Sequence, residues 1–370
     1  MAHEGSCAPR HDGNLLAMVL SPSQFSQVQE CGYRFVLKLQ GAAALPAGSA
    51  AALGNVLHRL MQEHVGRPFT DAEAFEEAWQ RQVAYQELLL STSVLSAALV
   101  PLARTAHGYA VKKAILRHSL LNPSQPQARW SAKAGTSKSY LGAEVKLGGA
   151  GPVAGRADLI RAASGGPELV DYKSGRFTAD QLDKDGQVVA KPEYVQQLHL
   201  YAALYYEEAG HWPSRLLLAG LDGTELEVPF LPAECLTLLA TARSMATALE
   251  AAARTGDGAQ LARPAPAVCR RCAYRPHCTP YLALVAAEGG CLGSDVSGVI
   301  SAIVHRGNRL VLTLSTGTGS ISVQAIGATA GRLHQDAAMV MGAKIIIFGV
   351  HPTPVNRTFT AEPTAAVAHL

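Results

Sequence analysis

The hydrophobic period of the chain changes near residue 140. Upstream, Leu53, Leu57, Leu60, Met61 and His64 recur at three- and four-residue intervals, the spacing that lines up one face of an α-helix. An earlier helix is predicted from the Ser21 or Ser23 cap through Phe25 and Val28 into Cys31, and residues 71–120 are helical in pattern. From 140 the segments "YLGAEVKLG", "GPVAGRADLIRAA" and "PELVDYKSG" read as strands separated by the turn signals "LGGAG" and "SGGP". A helix follows at "PEYVQQLHLYAALYYEEAG", then a strand pair about an Asp-Gly turn in "RLLLAGLDGTELEVPF", then the long helix "PAECLTLLATARSMATALEAAART". Strands, then helix, then strands predict a mixed α/β core.

The pattern shifts again after "CRRCAYRPHCTPYLAL". Residues 296–366 read as five short strands with a helix-like segment before the fourth, which fits a small all-β, OB-like barrel. The expected organisation is a disordered or irregular start over 1–17, an α/β domain over 18–290 and the barrel over 295–370.

With 48% hydrophobic and 16% charged residues in 370, the chain is globular and long enough for about two domains. No apolar run approaches the roughly 18–20 residues of a membrane span. The first twenty residues hold an early acid and a short apolar stretch, so no secretory signal and a cytoplasmic setting are expected. A net charge of +3 permits a polyanionic partner without requiring one. Seven cysteines in a reducing compartment argue against a disulfide framework.

Candidate chemistry centres on "GRADLIRAASGGPELVDYKSGR". Asp171 and Lys173 are two apart, so in a strand they share a face while Tyr172 points away. A turn near 164–167 brings Asp158, on the preceding strand, beside Asp171. Two crowded carboxylates are costly without a cation, and Mg²⁺ or Mn²⁺ with hard oxygen ligands removes that cost. The bland alternative is a solvated surface ion pair worth at most about 1 kcal/mol. Glu168 lies three before Asp171 and turns to the other face, and both Glu144 and Glu168 read as exposed hairpin acids, with a supporting place behind the metal ligands as the alternative. His58 sits one position off the helical stripe, with Gly54 four residues earlier leaving room on the same side.

The run GxxD…DYKSG, followed by "QLHLY", resembles the RecB-type nuclease branch of the PD-(D/E)XK superfamily, and "GNVLHRL" resembles that branch's histidine helix. The resemblance covers about residues 18–285. It implies a restriction-endonuclease-like mixed sheet flanked by helices. Asp158, Asp171, the Tyr172 carbonyl and His58 would hold the divalent metal. Lys173 would orient or activate the attacking water and offset transition-state charge. Gln197 and Tyr201, four apart on one helix face, would position the lysine and the nucleic-acid backbone. A core role for Tyr201 and a solvated one for Gln197 are the alternatives.

"CRRCAYRPHC" supplies Cys269, Cys272 and Cys278 in a C-x2-C-x5-C arrangement that leaves a four-ligand site one short. With Cys31 as the distant fourth, the split resembles the iron-sulfur subset of RecB-like nucleases, AddB and the CRISPR-associated four-cysteine exonucleases among them, and implies a [4Fe-4S] cluster. A zinc site of four cysteines, or of three with His277, is the alternative. Cys7, Cys235 and Cys291 have no partner in sequence. Gly32 departs from the pattern, standing where relatives have proline.

The resemblance points to a DNA nuclease acting on single strands or ends. No Walker motif occurs, so a helicase, or a defence complex, would be a separate chain. The competing readings are a non-catalytic DNA-binding scaffold and a zinc-stabilised nuclease acting on RNA. In the barrel, Arg306, Arg309, Lys344, Arg357, Phe348 and Phe359 are available for cation contacts and stacking on single strands, against a protein-docking role.

Overall fold

A computed structural model describes residues 19–122, 141–182 and 186–370. The irregular start expected over 1–17 lies outside the described residues. So does most of the Pro/Ser-rich segment after residue 121.

The first unit opens with α1 (Phe25–Glu30), α2 (Tyr33–Leu39), α3 (Ser49–Gly66) and α4 (Ala72–Leu90), then the short α5 (Val94–Ala97) and α6 (Leu102–Thr105) and α7 (Tyr109–Leu121). Asp71 caps α4 by accepting the Ala74 N–H at 2.9 Å. Strands β1 (Gly142–Leu147), β2 (Gly155–Ala163) and β3 (Gly166–Lys173) follow, then a separate hairpin of β4 (Thr178–Leu182) and β5 (Val188–Ala190). Next come α8 (Pro192–Ala209), β6 (Arg215–Gly220), β7 (Glu225–Glu227) and α9 (Pro232–Thr255). Both long helices begin on proline and end on a left-handed glycine, Gly210 and Gly256, the residues best suited to those two ends.

The main sheet has the order β1-β2-β3-β6-β7, with β3 and β6 parallel and the other neighbours antiparallel. Alternation sorts its side chains between two layers. Leu169, Leu216 and Leu218 pack with α8 and α9, while Val170, Tyr172, Leu217 and Ala219 pack with α3, α4 and α7. The mixed α/β arrangement agrees with the sequence pattern, but the helical stretch over 71–120 is broken into four pieces and the β4–β5 hairpin had no forecast.

α10 (Pro266–Cys269) and α11 (Thr279–Ala287) bracket the clustered cysteines, and the short strand β8 (Cys291–Leu292) leads into the second unit. There β9 (Asp295–Arg306), β10 (Arg309–Thr316), β11 (Gly319–Ile326), β12 (Lys344–Pro352) and β13 (Thr358–His369) close into a five-strand barrel, with α12 (Ala328–His334) before β12. The order around it is β9-β10-β11-β13-β12 and back to β9, with β11 and β13 parallel.

β12 buries both faces. Ile345 and Ile347 fill the barrel, whereas Ile346 and Phe348 pack outward against Leu37, Tyr281 and Val285. Phe359 is also in the barrel core. These positions correct the stacking role considered for Phe348 and Phe359, because a ring closed off by packing presents no face to a base. Arg306, Arg309 and Lys344 remain exposed, while Arg357 donates to Ser320 O and to the Thr318 and Thr316 hydroxyls.

Among the described residues, no helix is long and apolar enough to cross a membrane.

Candidate active site

The β2–β3 ladder places Leu159 opposite Val170, one step short of Asp158 and Asp171. Its connection is tight: Ala163 lies opposite Gly166, whose φ of +119° favours glycine. Asp158 and Asp171 therefore stand side by side on the face that looks toward α8. Asp158 Oδ2 accepts the Tyr172 N–H at 2.8 Å and lies 3.6 Å from His58 Nδ1. The structure thus brings together the acids and the histidine that the sequence nominated.

Gln197 joins the centre from α8. Its Nε2 donates to Asp171 Oδ1 at 2.7 Å, and its Oε1 accepts from Lys173 Nζ at 3.0 Å. Lys173 is also ion-paired with Asp171 Oδ2. One amide thereby fixes both the acid and the ammonium, and Gln197 is buried, unlike a solvated helix residue. Tyr201, one turn further along α8, donates to Arg156 O at 2.7 Å and ties the helix to β2. Gly155 makes this approach possible, since a Cβ there would meet the Tyr201 hydroxyl at 3.1 Å and Pro22 Cδ at 2.8 Å. Gly54 lets α3 close on the end of β3, where a Cβ would lie 3.3 Å from Ser174 Oγ.

Burial and the neighbouring Asp171 carboxylate push Asp158 up to about 8. His58 is held below its ordinary value by burial, against the opposing pull of Asp171. A neutral imidazole beside two carboxylates that repel each other is a donor set suited to a hard divalent cation. As they stand, the Asp171 oxygens are engaged by Lys173 and Gln197. Among the described residues, no group of three or more His, Cys, Asp or Glu side chains is arranged to hold a metal ion.

Three neighbours, Tyr194, Gln62 and Arg156, had not been singled out. The Lys173 ammonium lies 4.2 Å from the centre of the Tyr194 ring; Tyr194 precedes Gln197 by three residues on α8, so the helical period points to it. Gln62, four residues beyond His58 on α3, donates to Glu144 Oε1, and Arg156 Nη1 donates to Glu144 Oε2 at 3.4 Å. Glu144 is half-buried, with a left-handed φ of +54°, and its charge adds to the pressure on Asp158.

Glu168 corrects the expectation of exposure. It does turn to the other face, but it is buried there, accepting from Arg161 Nε at 2.8 Å and Arg215 Nη1 at 3.0 Å. It belongs to the sheet's structural ion pairs.

The four nominated cysteines are all buried and line one small cavity, with Arg34, Leu37, Val268 and Tyr281 among its walls. Burial, then the neighbouring Cys31, Cys269 and Cys272 thiols, push Cys278 up to about 12. Arg34 is itself buried, and its Nε has no hydrogen-bond partner. His277 is exposed and does not line the cavity. At Gly32 φ is −65°, so the backbone does not call for glycine, and a Cβ there would come within 2.9 Å of Leu249 Cδ2.

Residues 19–279 match the sequence model of the PD-(D/E)XK nuclease superfamily, and the chain belongs to that superfamily. Its nucleases hydrolyse phosphodiester bonds and generally use Mg²⁺ or Mn²⁺. Among solved structures, a candidate exonuclease from Eubacterium rectale is similar, with 10% identity and a TM-score of 0.41 over 69% of this chain and 88% of its own. A murine DNA-binding protein bound to double-stranded DNA is similar over 20% of this chain, with 14% identity and a TM-score of 0.16, and the chain spans 37% of that protein's length. At these values neither likeness bears on activity. No curated relative matches the sequence.

Proposed function

We propose that this protein is a divalent-metal-dependent deoxyribonuclease acting on single-stranded DNA or DNA ends. The observation that carries the reading is the side-by-side placement of Asp158 and Asp171 with Lys173 and Gln197 bonded around them. Asp158, Asp171, the Tyr172 carbonyl and His58 would hold Mg²⁺ or Mn²⁺. When bound, that ion supplies Lewis-acid polarisation of the scissile phosphate and activation of water. Lys173, detached from Asp171 Oδ2, orients the attacking water and offsets charge developing on the phosphate. Gln197 keeps the ammonium at the reaction centre, and Tyr201 fixes α8 against β2. Water is the nucleophile, so no covalent enzyme intermediate forms.

The cysteine module is read as the holder of a [4Fe-4S] cluster formed by Cys31, Cys269, Cys272 and Cys278. Its support is the shared buried cavity and the unpartnered Arg34 Nε, since a guanidinium favours a group of net negative charge. The exposed His277 speaks against the three-cysteine zinc alternative. We divide the chain into a nuclease unit over 18–290 and an OB-like unit over 295–370, whose strand order and helix placement support that name. A helicase, or a defence complex, is the proposed partner in the cytoplasm, as the RecB-like hairpin and cysteine spacing imply.

The test is incubation of purified protein with end-labelled single-stranded DNA, duplex DNA and RNA in Mn²⁺, alongside elemental analysis for iron and zinc. Cleavage of single-stranded DNA by the native chain, lost by at least about 100-fold in Lys173→Ala, is the expected result. Strand binding without cutting would favour a non-catalytic scaffold, cutting confined to RNA would move the substrate, and zinc without iron would replace the cluster.

A further inference from the structure

Two surface grooves meet at one residue. The first lies between α1, α2 and the start of α8, is lined by Ser23, Gln27, Tyr194 and Gln197, and reaches Arg271. Gln197, in its wall, is bonded to both Lys173 and Asp171, so the groove borders the reaction centre. The second runs between residues 44–48, the turn from Cys269 to Cys272 and strand β12, and it too is lined by Arg271, with Arg270 beside it. The main-chain N–H of Leu45 donates to Ala273 O at 2.8 Å, which fixes one wall to the cysteine turn.

Charge singles out the junction. Arg270 and Arg271 are exposed, and among the described residues neither has an ion-pair or side-chain hydrogen-bond partner. The acid of the second groove, Glu362, is paired with His351 at 2.9 Å. The first groove carries Glu30 and Glu193 against Arg34 and Arg271, and much of the rest of its wall is amides and hydroxyls, groups that bond sugar and phosphate without regard to sequence. With Phe348 buried in the seam, the track has few faces for base stacking, so the backbone is what it can hold.

We propose that a single DNA strand whose cut phosphate sits at Lys173 lies along the first groove, crosses Arg271 and continues into the second groove against the barrel, with Arg270 and Arg271 each binding one backbone phosphate. The proposal rests on the nuclease reading above and adds the course of the strand beyond the cut. A second consequence is directional: one end of the strand must leave through the seam between the two units.

The experiment measures binding of fluorescent oligo(dT) of about 6 and about 30 nucleotides to the full chain in Ca²⁺, over a range of salt. The native chain binds the long strand at least about tenfold more tightly than the short one. In Arg270→Gln/Arg271→Gln that gain shrinks to threefold or less, and the slope of log Kd against log salt falls by about 1.4, or about 0.7 per lost phosphate contact. Arg270→Lys/Arg271→Lys retains the slope, which separates charge from local structure. An unchanged length gain and slope in the Gln variant, or a native chain with no length gain, overturns the track. The nuclease reading fails separately: a chain that binds long strands through these arginines yet cuts none in Mn²⁺ keeps the track and loses the enzyme.

Discussion

Asp158 is the residue on which the energetics of the centre concentrate. Its Oδ2 takes the Tyr172 N–H, yet burial and Asp171 push it up to about 8, well above the value near 4 of an unfolded chain. Below about 4 both folded and unfolded chains carry its proton, so the group contributes nothing to the balance. Between about 4 and about 8 the unfolded chain has released the proton while the folded one retains it, and each rise in pH removes stability. In the metal-free protein the melting temperature should therefore fall from pH 5 to pH 8 by more than in Asp158→Asn, whose side chain does not titrate. Parallel melts in chelator check this, and equal slopes in the two proteins would contradict it. The sequence exposed this residue because a period of two and one short turn were enough to bring Asp158, Asp171 and Lys173 together. It hid the burial of Glu168, since its partner Arg215 arrives from β6, a strand remote in sequence.

At the scale of elements, the cysteine turn and the barrel share a buried ionic latch. Asp295, at the start of β9, is fully buried and accepts from Arg275 Nε at 2.7 Å and Nη2 at 3.1 Å, from the Tyr281 hydroxyl and from the Gly349 N–H. Arg275 lies between Cys272 and Cys278 and also donates to Cys272 O at 3.1 Å, so the latch runs directly from the cysteine turn into two barrel strands. Removing the acid leaves a buried guanidinium without its counter-charge. Asp295→Ala should lose about 3–5 kcal/mol in denaturant unfolding, and Asp295→Ala/Arg275→Met should lose less than Asp295→Ala alone. A loss below about 1 kcal/mol for the single variant would show that the pair is not what closes the seam. Most elements were legible from period and turn chemistry, including α8, α9 and the five barrel strands. The exception at Phe348 has a physical cause: "KIIIF" is apolar at successive positions, the mark of a strand buried on both faces, and its outer face is covered by α2 and α11.

For the whole molecule, the second unit is not an independent appendage. Ile346 and Phe348 complete a hydrophobic cluster whose other members, Leu37, Cys269, Cys278, Tyr281 and Val285, belong to the first unit and include two of the four clustered cysteines. Truncation after residue 290 would uncover that cluster. The shortened chain should melt at a lower temperature than the full chain and bind a hydrophobic dye, with thermal melts and dye fluorescence as the readouts. Unchanged melting would mean that the seam contributes no stability. Sequence alone could place the barrel after the cysteines but not against them, because the contacts join residues from near both ends of the chain.

If Asp158 and Asp171 share a divalent ion, calorimetric titration of the metal-free protein with Mn²⁺ at pH 8 finds one strong site in the native chain, weakened by at least about tenfold in Asp171→Asn. Equal Mn²⁺ affinity in the two proteins, or no binding by the native chain, would contradict it.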